Sequence, residues 1–115
     1  MATKVSLPEP FKRDLKKLAR KYPKVIDSVD TLIGTLESDE RPGDKIPQVG
    51  YDVYKVRLGN PSAGRGKRGG FRIIYYVQLA DSVILLTVYS KTEKNDITPE
   101  EIRRLLQELL SSDDM

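Results

Sequence analysis

The sequence lacks two residue types that carry much of enzyme chemistry. It contains no cysteine, which excludes disulfides, thiol nucleophiles, zinc fingers and iron–sulfur clusters. It also contains no histidine, the commonest metal ligand and the usual general acid or base, so a Ser-His-Asp triad or an ordinary zinc hydrolase is excluded. Any catalysis must therefore use Lys, Arg, Tyr, Asp, Glu or hydroxyl groups, and we expect no metal and no cofactor.

Long apolar runs are also missing. No stretch approaches the roughly 18 to 20 residues that a membrane span requires, and residues 1–10 lack the apolar core of a signal peptide. We therefore expect a cytoplasmic protein that makes no contact with a membrane. The length of 115 residues favours a single domain over residues 1–115.

One long segment has no acidic side chain. Residues 53–80 carry six basic and no acidic residues, although the whole chain has 20 basic and 17 acidic ones. Residues 1–25 are also basic, whereas 26–52 and 81–115 carry net negative charge. Basic segments of this kind attract polyanions and suit phosphate backbones. A solvated basic loop is the alternative interpretation.

Apolar residues at helical spacing predict three helices. They recur in this way over residues 11–22, and Pro23 suits the first turn of a second helix that ends near Ser38. Thr98 and Glu101 form a capping box that starts a last amphipathic helix. The first two helices are expected to form a hairpin.

Alternating apolar residues predict the strands. A short strand is expected over 3–7, and longer ones over 51–58, 71–79 and 82–89, while 39–50 is expected to be a loop. The predicted order is β-α-α-β-β-β-α. This is an α+β domain in which a small antiparallel sheet packs on one face against the helical hairpin and the C-terminal helix.

Basic and aromatic side chains converge in this arrangement. Lys55 and Arg57 are two positions apart in one strand, so they project from the same face of the sheet. Arg72 begins the next strand, and Tyr89 and Lys91 end the third. If the three strands pair in simple register, these side chains meet at one edge of the sheet.

A glycine-rich segment over 64–70 adds three more cations. Glycine lets a backbone approach a phosphate closely, and basic side chains neutralise it, so Arg65, Lys67 and Arg68 suit a phosphate backbone. The spacing does not match a Walker motif. Taken alone, this segment is a weak signal.

The ordered set of motifs resembles the RelE/ParE superfamily of bacterial toxins from type II toxin–antitoxin systems, and most closely its RelE and HigB branches. The resemblance rests on YKVRL at 54–58, GFRIIYY at 70–76, LLTVYSK at 85–91 and EKNDI at 93–97. It implies a RelE-like fold and a ribosome-dependent endoribonuclease that cleaves mRNA in the A site and inhibits translation. It also implies three partners: a cognate antitoxin, the ribosome with its RNA, and mRNA.

The resemblance further implies that Arg65, Lys67 and Arg68 bind RNA, and it implies which residues form the catalytic site. Four basic residues match the family's basic positions: Lys55, Arg57, Arg72 and Lys91. The best-known branch has a catalytic Tyr after the last strand, near Ile97 here, and this chain has none at that point. Either Tyr89 replaces it or the site works without a Tyr.

The same residues suit cleavage through the ribose 2′-hydroxyl without a metal. Crowding by Arg57 and Arg72 favours Lys55 as general base, and the two guanidiniums hold the phosphate. Lys91 or Tyr89 then serves as acid. Two alternatives remain at this stage: a ParE-like poison of DNA gyrase, for which we expect a more neutral sheet edge, and a non-catalytic basic module that binds RNA.

Overall fold

The computed structural model describes residues 3–59, 70–91 and 96–113. In chain order the elements are β1 (Lys4–Ser6), α1 (Glu9–Lys21), α2 (Val25–Glu37), β2 (Asp44–Lys45), β3 (Val53–Leu58), β4 (Phe71–Leu79), β5 (Ser82–Ser90) and α3 (Pro99–Asp113). In this part of the chain, no helix is long and apolar enough to cross a membrane.

The five strands form one sheet in the order β1-β5-β4-β3-β2. The predicted antiparallel arrangement of β3, β4 and β5 is confirmed. The sheet as a whole is mixed, because β1 pairs with β5 in parallel. The α+β class is confirmed, and the order differs from the prediction only by the additional strand β2.

The strand β2 lies inside the segment predicted to be a loop, and Gly43 explains how it forms. Gly43 has a φ of +91°, and a Cβ at this position would collide with the carbonyl oxygen of Lys55. Only glycine both adopts this conformation at low cost and permits the approach. Asp44 then pairs with Lys55, and Lys45 pairs with Tyr54.

The helices cover both faces of the sheet, so the prediction that all of them pack on one face is wrong. Ile73 and Ile74 are adjacent in β4 and both are fully buried. Because neighbouring strand residues point to opposite faces, each face must have its own apolar cover. Ile73 packs into the core formed by α1 and α2, and Ile74 packs with Ile102 of α3.

The start of α3 has the predicted capping box. The Thr98 N–H donates to the Glu101 side chain at 3.2 Å, and the Glu101 N–H donates to the Thr98 hydroxyl at 3.2 Å. These reciprocal bonds satisfy backbone donors that the helix leaves unpaired. They also fix where the chain enters α3, directly after residues 96 and 97.

Candidate functional site

Three neighbouring strands bring polar side chains to one end of the sheet, on the face covered by α3. Arg57 of β3 lies opposite Arg72 of β4, and Arg72 lies opposite Tyr89 of β5. Lys55 lies two residues before Arg57 and therefore shares its face. The backbone N–H of Lys91 donates to the carbonyl oxygen of Gly70 at 3.2 Å, which ties Lys91 to the start of β4.

These side chains surround a cavity of about 290 Å³. The predicted basic residues Lys55, Arg57, Arg72 and Lys91 all line it. Its other lining residues are Gly43, Asp44, Val56 and Asp96. The convergence expected from simple strand register is thus present, and we call this space the cation cavity.

Arg72 is the most buried of the four cations. Its side chain is only 4% exposed, and its guanidinium donates to the carbonyl oxygen of Phe71 at 3.3 Å. A charge with little access to water interacts more strongly with a nearby opposite charge than a solvated one does. Since Arg57 lies directly across from it, the pair is suited to hold an anion.

Lys55 is paired with a carboxylate that is not among the predicted site residues. The Lys55 ammonium nitrogen lies 3.6 Å from a carboxylate oxygen of Asp96, with the two side chains 34% and 48% exposed. Asp96 thus neutralises part of the like-charge crowding on which the expected role of Lys55 as a base depends. The available signal was weak: Asp96 stands two residues before the capping Thr98 in a polar segment.

Tyr89 has a different position from the four cations. Its side chain is 7% exposed and packs in the core beneath α3, and it is not among the residues that line the cation cavity. Its hydroxyl accepts a hydrogen bond from the Ile97 N–H at 3.4 Å. Burial raises the pKa of Tyr89; the Ile97 bond opposes this, Asp96 adds to it, and Arg72 opposes it. The hydroxyl therefore supports the segment that carries Asp96.

The predicted RNA-binding residues Arg65, Lys67 and Arg68 lie outside the residues that the structure describes. Over the described ranges, no group of three or more acidic side chains is arranged to hold a metal ion.

A larger cavity of about 450 Å³ lies beside Tyr51 and Tyr76 at the other end of β3. Its lining lysine, Lys45, is paired with Asp52 at 2.7 Å. We favour the smaller cation cavity as the functional site because its cations come from β3, β4 and the residue directly after β5, and because they outnumber its carboxylates.

Comparison with known proteins agrees with the fold. Residues 11–112 match the family model described as the RelE toxin of the RelE/RelB toxin–antitoxin system. Among solved structures, the fold is similar to that of an E. coli RelE toxin mutant in its free state, with a TM-score of 0.54 and 20% sequence identity. That match covers 82% of this chain and 88% of the other.

Proposed function

The chain belongs to the RelE family of toxins from toxin–antitoxin systems, and on that premise we propose that the cation cavity cleaves mRNA by metal-independent attack of a ribose 2′-hydroxyl. The family assignment makes the chain a ribosome-dependent mRNA endoribonuclease that inhibits translation. The proposal concerns which residues perform the cleavage and by what chemistry.

The observation that carries the proposal is the clustering of four cations around one cavity, with Arg72 nearly buried among them. The charged side chains that would contact a phosphodiester in this cavity are already in place. Stabilising its charge therefore requires no reorganisation of surrounding water. Arg57 and Arg72, facing each other across two strands, are suited to contact two non-bridging oxygens. Guanidiniums match such oxygens with paired hydrogen bonds.

In this mechanism the 2′-hydroxyl oxygen attacks the adjacent phosphorus and the bond from phosphorus to the 5′-oxygen breaks. The products are a 2′,3′-cyclic phosphate and a 5′-hydroxyl. Lys55, Arg57 and Arg72 stabilise the charge that develops on the phosphorane. We assign the proton for the leaving oxygen to Lys91, which lines the cavity, and we assign Tyr89 the task of holding residues 96 and 97 in place.

The ribosome supplies what a small site without histidine does not. The cation cavity of about 290 Å³ is lined by groups suited to a phosphate, and we propose that the ribosome positions the nucleosides on either side of it. Holding mRNA in the A site fixes the reacting groups relative to one another, and such positioning raises a reaction rate by several orders of magnitude. We propose the ribosomal A site and mRNA as partners of this face, and a cognate antitoxin as its inhibitor.

We expect Arg57→Ala to slow cleavage of mRNA on purified ribosomes by about 10²- to 10³-fold, because one donor to the developing charge is lost. Arg57 is exposed, so the fold should be unaffected. Arg72→Ala should cost at least as much activity, with some loss of stability because Arg72 is buried. Lys4→Ala is the control, since it removes one positive charge at the opposite edge of the sheet.

Cleavage should also persist in excess EDTA when polyamines keep the ribosomes intact. Arg57→Ala and Arg72→Ala enzymes that cleave as fast as the Lys4→Ala control would exclude the cation cavity as the active site. Loss of cleavage in EDTA that returns only when a divalent metal binds the toxin would exclude the metal-independent mechanism.

A further inference from the structure

Cleavage through a 2′-hydroxyl needs a proton acceptor, and few groups in the cation cavity qualify. Arg and Lys side chains carry only donors when charged, and an Arg does not lose its proton in a protein. Tyr89 is buried and does not line the cavity. The lining side chains that carry acceptor oxygens are the carboxylates of Asp44 and Asp96.

Asp96 is the better placed of these two carboxylates. One of its oxygens lies 3.6 Å from the Lys55 ammonium, so a cavity cation holds this carboxylate at the cavity lining. Within the described residues the structure shows no corresponding ion pair for Asp44, which lies on the two-residue edge strand β2.

Asp96 is also held in position from the side of the protein core. The next residue, Ile97, donates its N–H to the Tyr89 hydroxyl at 3.4 Å, and the one after it is the capping Thr98 of α3. These contacts fix the backbone on one side, and the Lys55 pair fixes the carboxylate on the other. With 48% of its side chain exposed, Asp96 still has access to a substrate in the cavity.

We propose that Asp96 is a catalytic residue that accepts the proton of the attacking 2′-hydroxyl, a proposal that rests on the proposed function. As the bond from the 2′-oxygen to phosphorus forms, the hydroxyl proton moves to a carboxylate oxygen of Asp96. The bond to the 5′-oxygen breaks, and that oxygen takes a proton from the Lys91 ammonium. Proton exchange with water then restores both side chains, so atoms and charges balance over the cycle.

Lys55 has two roles in this scheme. Its ammonium orients the Asp96 carboxylate before attack, and it faces the phosphate that also contacts Arg57 and Arg72. When Asp96 takes up the proton, the ammonium is released from its ion pair at the moment when negative charge grows on the phosphorane. The charge of Lys55 is therefore more fully available in the transition state than in the ground state, which is the condition for it to raise the rate.

The test is single-turnover cleavage, on ribosomes, of a short mRNA whose cleavage position has been mapped with the wild-type toxin. Asp96→Asn should slow the step by about 10²- to 10⁴-fold, the usual contribution of a general base. Asp44→Asn removes the same charge from the same cavity and should lose at least tenfold less activity than Asp96→Asn. Asp30→Asn, at an exposed position of α2, is the control that should match wild type. Asp96→Glu, which keeps a carboxylate, should recover most of the loss.

A second substrate separates proton removal from proton donation. When sulfur replaces the 5′-oxygen at the cleaved bond, the leaving thiolate needs no proton. A Lys91→Met enzyme should then regain most of its rate on the sulfur substrate. Asp96→Asn should remain slow on both substrates, because removal of the 2′-hydroxyl proton is still required. Thermal unfolding and ribosome binding of each variant should match wild type.

The outcomes are distinct. Asp96→Asn within fivefold of wild type, an equal loss in Asp44→Asn, or recovery of Asp96→Asn on the sulfur substrate would each overturn the role of Asp96. Failure of the wild-type toxin to cleave ribosome-bound mRNA would instead overturn the proposed function. If wild type cleaves and Arg57→Ala does not, the proposed function stands, and the cleavage rate of Asp96→Asn decides the role of Asp96.

Discussion

The two faces of the sheet are made from alternate residues of the same strands, yet they serve different purposes. On one face of β3, Tyr54, Val56 and Leu58 all contact the apolar core beneath α1 and α2. On the other face, Val53 packs beneath α3, whereas Lys55 and Arg57 line the cation cavity.

The difference shows how a small protein builds a rigid site without a deep pocket. The core beneath α3 includes Val53 of β3 but neither Lys55 nor Arg57, so this end of the sheet stays open to a ligand. On the opposite face of β3, Val56 is buried and Tyr54 and Leu58 pack partly buried against the core. The cations therefore project from strands whose other face packs against a core, and this packing fixes their spacing before substrate binds.

The strongest test of this comparison is a pair of core substitutions in adjacent residues. Ile73→Ala removes a buried side chain from the face beneath α1 and α2, and Ile74→Ala removes one from the face beneath α3. Both side chains are fully buried, so each change should lower the free energy of unfolding by about 2 to 5 kcal/mol. Urea denaturation measures both. A cost below about 1 kcal/mol for Ile74→Ala alone would mean that α3 does not form a second core.

A smaller effect is expected where β2 borders the cation cavity. Gly43 and Gly50 both have positive φ angles, but only at Gly43 would a Cβ meet the backbone of Lys55. Gly50→Ala should cost about 1 to 2 kcal/mol from its backbone conformation alone. Gly43→Ala should cost more, because it also pushes β2 away from β3, and it should reduce mRNA cleavage. If urea denaturation shows the same loss of unfolding free energy in both variants, and if Gly43→Ala leaves mRNA cleavage unchanged, then β2 does not shape the cavity.

The smallest effect concerns alkaline pH and has no consequence near neutrality. Burial raises the pKa of Tyr75 on the α1 and α2 face and of Tyr89 on the α3 face. The folded-state pKa values therefore lie above the unfolded-state ones. The free energy of unfolding that the two buried, neutral tyrosines contribute is fully present below about pH 10, and it is lost as pH rises through the folded-state pKa values.

Urea denaturation between pH 8 and 11, a range chosen around the ordinary tyrosine value of about 10, should show the free energy of unfolding falling at the alkaline end. Tyr75→Phe and Tyr89→Phe should each reduce the slope of that decline. A slope unchanged in both variants would contradict the burial of the two hydroxyl-bearing rings.

The local parts of the fold were predictable from sequence because their signals are local. The strand expected over 71–79 is observed as Phe71–Leu79, and the capping box at Thr98 and Glu101 has the expected bonds. Each depends on residues a few positions apart. The convergence of Lys55, Arg57 and Arg72 followed from strand alternation together with antiparallel pairing.

The remaining features depend on contacts between distant segments. The apolar stripe of α3 shows that one side of the helix is buried, but not against which face of the sheet. The consecutive buried residues Ile73 and Ile74 were the available sign of two covered faces. The two-residue strand β2 has no periodicity to detect. Asp96 enters the site only because α3 and Tyr89 position the segment before the helix.

The parallel pairing of β1 with β5 sets the order in which this protein can be completed during its own synthesis. Lys4 is made before α1, and its partner Ser82 is made after β3 and β4. The cation cavity needs Lys91 and Asp96 as well, which follow later still. A nascent chain that has not reached Ser82 lacks the pairing of β1 with β5. One that has not reached Lys91 lacks a complete set of cavity cations. The sheet and the cation cavity are therefore complete only after synthesis has passed Asp96, and translation is the process that the finished molecule attacks.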